Sequence, residues 1–309
     1  MKYIFGPVPS RRLGMSLGVD VVPFKTCSFD CIYCQLGATT DKSVQRRSYV
    51  PKEDVLKELR DVLENESKRI DFITFSGSGE PTLNSDLGEM IGRVKTFSRV
   101  PVAVLTNGSL LYRDDVRKEL SSADLVVPSL DAVTEKTFEK INRQHESLTA
   151  KLIIEGLRKF TQEFEGRIWL EIMLVKGVND NPEELRQMAD LARSLKVDKI
   201  HLNTVVRPPT EEFSLAVTAE EISEIASMFD SRAEVIVDFG KLVKHETRDG
   251  DIEDQIASLL KRRPCTVDDI SDSLGIHRNE VIKYVNHLTS KGSVRRVKHG
   301  DKWYYEQVL

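Results

Sequence analysis

The sequence predicts an α/β chain in two parts: about six strand–helix units with parallel strands, then a smaller α+β unit. Three observations predict it. Short apolar strands alternate with amphipathic helical stretches from Leu17 to Phe229, the pattern of parallel β/α units. The polar, glycine-bearing motifs fall just after strands, at the end of a β/α barrel where ligands bind. Beyond a polar stretch at Lys241 to Asp251 the pattern changes to three helices and a hairpin. A chain of 309 residues is long for one domain and natural for two. The expected boundaries are 1–240, a linker at 241–251, and 252–309.

Residues 3–16 hold Gly6, Pro7, Pro9, Arg11, Arg12 and Gly14 and read as a loop with a basic pair. Leu17 to Val22 reads as the first strand. After Pro51, at a first helical position, a helix is expected to about Lys68, with Val55, Leu56, Leu59, Val62 and Leu63 on one side. Strands are then expected at Phe72–Phe75, Val102–Leu105, Leu125–Val127, Ile168–Val175, Lys199–Thr204 and Glu234–Asp238. The helices between them are expected at Ser85–Phe97, Asp114–Leu120, in segments reaching Phe164, at Pro182–Leu195 and at Thr218–Phe229. The last part offers helices at Ile252–Arg263, Val267–Leu274 and Asn279–Lys291, the latter two ended by Gly275 and Gly292. Val294–Val297 and Trp303–Tyr305 flank His299-Gly300-Asp301 as a hairpin. That order resembles a winged helix-turn-helix domain.

The formal charge of −4 gives no global pull toward nucleic acid or anionic membrane, so any such binding needs a local patch. No apolar run approaches a membrane span, and Pro7 and Pro9 interrupt the N-terminus too early for a signal peptide. Four cysteines, three of them clustered, argue for a reducing compartment, and the expectation is a cytoplasmic protein.

The cluster is Cys27, Cys31 and Cys34, spaced Cys-x3-Cys-x2-Cys with Tyr33 before the last. A structural zinc site wants four ligands, and a closed electron-transfer cluster wants a fourth cysteine nearby. Three thiolates hold three irons of a cubane and leave the fourth open to a small molecule. The run resembles the cluster loop of the radical S-adenosylmethionine (radical SAM) superfamily. That resemblance implies a [4Fe–4S] cluster on these thiols, S-adenosylmethionine chelated by the open iron, and a reductant such as flavodoxin or ferredoxin. It implies hydrogen abstraction by a 5′-deoxyadenosyl radical as the reaction class. About six units match the open, partial (β/α)6 TIM-like barrel of that superfamily better than a full eight.

Other motifs extend the resemblance. Ser76-Gly77-Ser78-Gly79-Glu80-Pro81 resembles the superfamily's Gly-Gly-Glu-Pro motif, with Ser78 for the first glycine. It implies that Gly79 and Glu80 approach the amino group of the cofactor; the alternative is an ordinary β–α turn. Thr106-Asn107-Gly108 and Ser129-Leu130-Asp131 are equivalent to positions contacting its ribose and carboxylate, and both are also good helix caps. The backbone at Tyr33 would contact the adenine while the ring shields the cluster. Glu171 either faces the barrel interior, toward ribose or substrate, or points outward. Val178-Asn179-Asp180-Asn181 resembles a turn of radical SAM activating enzymes or is a cap before Pro182. His201 and Asn203 alternate on one strand and share a face. Lys25, Arg11 and Arg12 are candidates for anionic substrate or plain solvated charges.

The N-terminal run Ser10-Arg11-Arg12-Leu13-Gly14 to Asp20 is similar to an uncharacterised radical SAM group akin to the wyosine-tRNA-forming Fe–S oxidoreductases. Those carry extra cysteines for a second cluster, and this chain has none to supply one. In a winged helix the third helix commonly enters the major groove. Here it offers His277, Arg278, Asn279, Lys283, Tyr284, Asn286 and His287, and the wing offers Arg295, Arg296, Lys298 and Lys302. The substrate is thus an RNA such as tRNA, or a peptide or protein. A redox-sensing nucleic-acid-binding regulator and a glycyl-radical activating enzyme are the other readings.

Overall fold

In the computed structural model, which describes residues 2–66, 69–206, 209–237, 250–262, 264–299 and 302–308, the chain opens with a hairpin. Strand β1 (Ile4–Ser10) runs antiparallel to β2 (Gly14–Val19). Two short strands, β3 (Thr26–Cys27) and β4 (Asp41–Lys42), pair within the loop that follows. Then come α1 (Lys52–Asn65), β5 (Phe72–Phe75), α2 (Leu87–Phe97), β6 (Val102–Thr106), α3 (Asp114–Leu120) and β7 (Leu125–Pro128). After them come α4 (Glu135–Asn142), α5 (Ala150–Glu163), β8 (Arg167–Leu174), α6 (Pro182–Ser194), β9 (Lys199–Thr204), α7 (Ala219–Ala226) and β10 (Ala233–Val235).

The sheet order is β1-β2-β5-β6-β7-β8-β9-β10, parallel throughout from β2. Six strands from β2 to β9 each lead into a helix, and β1 and β10 are open edges: a partial (β/α)6 TIM-like barrel. The strands are apolar on the outer face, which the helices cover, while the inner face mixes apolar residues with Ser16, Thr74, His201 and Asn203. Ile73, Val104, Val126, Leu170 and Leu202 meet the helical stripes of Leu59, Met90, Ile91 and Met188. The inner face is a smaller cluster of Phe72, Ala103, Leu125, Val127 and Trp169, plugged by Leu13 from the hairpin turn.

Residues 3–16 were expected as loop, and the first strand as Leu17 to Val22. Instead Ile4–Ser10 forms β1, and β2 begins at Gly14 and ends at Val19. The prolines are tolerated because β1 lies at the sheet edge, and the register shifts between Phe5 and Val8. The expected Asp238, and most of the expected linker, lie outside the described residues.

The C-terminal unit holds α8 (Gly250–Arg262), α9 (Val267–Leu274), α10 (Arg278–Ser290) and the antiparallel wing strands β11 (Val294–His299) and β12 (Lys302–Gln307). Its core joins Ile256, Leu260, Ile270, Val281, Val285, Leu288 and Tyr305. Thr266 caps α9 in a capping box with Asp269, and Gly275 ends it at φ 65°. Cys265 is fully buried, and its backbone exchanges two hydrogen bonds with Tyr305.

Helix α10 was expected to offer its polar residues to a groove. Its N-terminal part instead rests on the barrel. Asn279 Nδ2 donates to Asp20 Oδ2 at 3.2 Å, the His277 ring lies 5.0 Å from that of Phe5, and Arg278 covers Phe24 at 4.4 Å. Further along, Asn286 Nδ2 donates to the Gln35 carbonyl at 3.3 Å. The physical reason is Asp20, a buried carboxylate just past β2 that requires donors: Ser78 N and Oγ supply two, and Asn279 another.

Candidate active site

Cys27, Cys31 and Cys34 lie half-buried on the loop after β2. That loop is fastened on two sides. Lys25 N donates to the Ser78 carbonyl at 2.8 Å and Glu80 N to the Thr26 carbonyl at 3.2 Å, which stitches it to the glycine-rich turn after β5. Asp30 N and Ile32 N donate to the Asn142 and Ile141 carbonyls at the end of α4. Gly79 sits where a Cβ would fall 1.7 Å from the Thr26 oxygen, so no larger residue allows this approach.

Side-chain N–H groups face all three sulfurs: Lys25 Nζ to Cys34 at 3.2 Å, Asn142 Nδ2 to Cys31 at 3.4 Å, and Asn107 Nδ2 to Cys27 at 3.5 Å. Burial, then the Glu80 carboxylate, pushes the Cys27 thiol up to about 12; burial and Asp131 push Cys31 up as well. Among the described residues no three His, Cys, Asp or Glu groups could hold a metal ion. Three thiols strung along one loop, with Cys265 remote in the other core, fit a multi-iron cluster with one iron left without a protein ligand.

The strand ends sit beside this loop. The buried Glu80 carboxylate accepts from Thr82 N, Thr82 Oγ1, Thr106 Oγ1 and Asn107 N. Asn107 is thereby aimed at the loop, where Nδ2 also reaches Ser28 Oγ at 2.9 Å. Asp131 accepts from the Tyr33 hydroxyl, from Asn142 Nδ2 at 2.8 Å and from Met173 N at 3.0 Å. Ser129 follows β7, half-buried, and bridges in parallel to Glu171. Phe29, Asn107, Ser129, Asp131, Ala132 and Asn142 line one small cleft between loop and strand ends.

Glu171 faces inward, where Arg12 and Asn203 Nδ2 (3.0 Å) both donate to it. Arg11, itself exposed, reaches Asn203 Oδ1 at 3.3 Å, so both residues of the hairpin's basic pair make contacts to β8 and β9. His201 shares that inner face, buried beside Trp169, with Nδ1 unpartnered; burial lowers its pKa. Asn179 ties its own turn to the site, donating to the carbonyls of Asp131 and Met173, while Asn181 caps α6. Sequence reasoning missed Asn142, Asp20 and the inward turn of Lys25, which is only 4% exposed, and named Thr106 only within its strand-end motif. The signal for Thr106 was its place at a strand end; Asn142 and Asp20 carried none.

The family model described as the radical SAM superfamily matches residues 21–192, over half of the chain. The chain belongs to the radical SAM superfamily. Members of this superfamily generally bind a [4Fe–4S] cluster and S-adenosylmethionine. A UPF0026 protein of Methanocaldococcus jannaschii, MJ1312, is 32% identical over 309 residues, covering 99% of this chain and 96% of its own, which places the radical SAM chain among the UPF0026 proteins. A Brachyspira hyodysenteriae protein named GTPase Obg is 38% identical over 297 residues; the match takes in 95% of this chain and spans 43% of that relative's length. The model of the sugar-specific transcriptional regulator TrmB matches residues 256–308, over the winged helix. Among solved structures, a radical SAM methyltransferase from Sphaerobacter thermophilus has the same barrel fold, with TM-score 0.56 and 19% identity over 71% of this chain and 65% of that one. No helix among the described residues is long and apolar enough to cross a membrane.

Proposed function

We propose that this radical SAM enzyme binds a [4Fe–4S] cluster at Cys27, Cys31 and Cys34 and abstracts hydrogen from an RNA held by its winged helix. When bound, the cluster supplies the electron that splits S-adenosylmethionine into methionine and a 5′-deoxyadenosyl radical. The observation that carries the reading is the loop of three thiols, without a fourth, stitched to the strand ends at Gly79 and Glu80. Gly79 lets the Thr26 backbone of the cysteine loop close on the turn assigned to the cofactor's amino group, while Glu80 holds Asn107 in place through the Asn107 amide. Ser129 and Asn107, just past β7 and β6 and beside the cysteine loop, are assigned to its ribose and carboxylate. Asp131 acts through Tyr33, which it fixes over the cluster loop, and Glu171 faces the ribose and substrate side.

RNA is favoured over the other substrates by the wing. Trp303 is 44% exposed, with Arg296 stacked on it at 4.1 Å and Lys298 at 5.9 Å. An aromatic flanked by cations suits an unpaired base and its phosphates. The regulator reading is disfavoured because His277 and Asn279, at the start of the helix that would read duplex DNA, are buried on the barrel. The test is anaerobic. Protein with reconstituted cluster, dithionite and S-adenosylmethionine should form 5′-deoxyadenosine, faster with total cellular RNA. Equal rates with and without RNA would refute the RNA assignment, and no product from a loaded cluster would refute the enzyme reading.

A further inference from the structure

Three donors on three sulfurs come from three separate places: the loop itself, the end of β6 and the end of α4. Two are amides with fixed orientation. Asn107 Oδ1 accepts from Ser109 N at 2.9 Å, which leaves Nδ2 toward Cys27. Asn142 Nδ2 is held between Asp131 and Cys31. Lys25 is more demanding. Its backbone N is tied to Ser78 and its carbonyl accepts from Thr40 N and Asp41 N, so the side chain is directed inward from a pinned loop. A buried ammonium is tolerated only beside negative charge. Its hydrogen-bond partner is the Cys34 sulfur, which carries that charge as an iron-bound thiolate.

We infer that Lys25, Asn107 and Asn142 are positioning residues that raise the reduction potential of the cluster by donating to one ligand sulfur each, Lys25 most strongly. The inference rests on the cluster assignment above. Hydrogen bonds to sulfur and net charge are among the protein's controls on such potentials, because both stabilise the more negative reduced state. A charged donor is worth about twice a neutral one.

The test is a potentiometric titration followed by electron paramagnetic resonance, on the full chain after anaerobic reconstitution, with iron and sulfide counted. Lys25→Met should keep the cluster and lower its midpoint, cutting the reduced-to-oxidised ratio at the wild-type midpoint about tenfold, or about 59 mV for one electron. Lys25→Arg should recover most of the shift, and Asn142→Leu should lower the midpoint by less than Lys25→Met. Should Lys25→Met hold no iron, Lys25→Gln and Asn142→Leu decide by the same titration. Midpoints equal to wild type in variants with full iron would overturn the inference. A wild-type chain that binds no cluster would overturn the reading beneath it, and iron content separates the two.

Discussion

Gly79→Ala should uncouple the cluster loop from the barrel. The added Cβ would lie 1.7 Å from the Thr26 carbonyl oxygen, 2.7 Å from its carbon and 3.2 Å from Val22 Cγ2. Ordinary contact needs about 3.5 Å, so the two backbones must part by well over an ångström. The partner atoms are main chain, and a rotamer change cannot relieve the clash. Separation breaks the Glu80 N–Thr26 O bond (3.2 Å) and the Lys25 N–Ser78 O bond (2.8 Å). At about 1 kcal/mol for each bond and about 1–3 kcal/mol for overpacking, the loss is about 3–5 kcal/mol, a large share of a domain's stability. The assay is the urea midpoint of the apoprotein under reductant, with iron per chain after reconstitution. Gly92→Ala is the control: it lies in α2 with nothing within 4 Å of its added Cβ, and should raise stability by about 0.5–1 kcal/mol and the midpoint with it. A Gly79→Ala chain with the wild-type midpoint and wild-type iron would refute the steric argument.

Tyr33→Phe removes one donor from the buried Asp131 and should weaken the loop by about 1–3 kcal/mol, seen as faster iron loss to a chelator. Asp20 and His277 should give opposite pH profiles. Burial raises Asp20 to about 6 and lowers His277 to about 4. Asp20 therefore adds stability below pH 4 that fades as pH rises through 6. His277 adds stability above pH 6.5 that fades as pH falls through 4. His277 Nε2 and Asp20 Oδ2 lie 3.7 Å apart, so the two titrate as a pair whose opposite slopes offset one another between pH 4 and 6.5. Asp20→Asn should make the urea midpoint fall on acidification across that window, and His277→Gln should make it rise. Trp303→Ala should weaken binding of a single-stranded RNA by about 1–3 kcal/mol in fluorescence anisotropy.

The parts of the fold that were legible are those set by local pattern. The apolar runs at Phe72–Phe75, Lys199–Thr204 and their neighbours are bounded by turn residues, and strands formed there. Hairpin strand β1 was not legible, because its hydrogen bonds come from β2 and its prolines argue against a strand. At the site, the cysteines announced themselves through spacing, within eight residues. Asn142 did not: it lies 111 residues from Cys31, and only the packing of α4 brings it there. Glu171 was legible as a strand residue, while its orientation depended on Arg12 crossing from 159 residues away.

Winged helices are usually treated as portable parts that can be cut off or transplanted. The bond from Asn279 to Asp20, across 259 positions, makes this one a poor candidate for surgery. Cutting the chain before Gly250 would uncover Phe5 and Phe24 and strip Asp20, one loop from the cysteines, of a donor. A truncated barrel and a domain-swapped chimera would therefore both change the chemistry end of the molecule. A change at position 279 would leave the buried Asp20 carboxylate short of a donor.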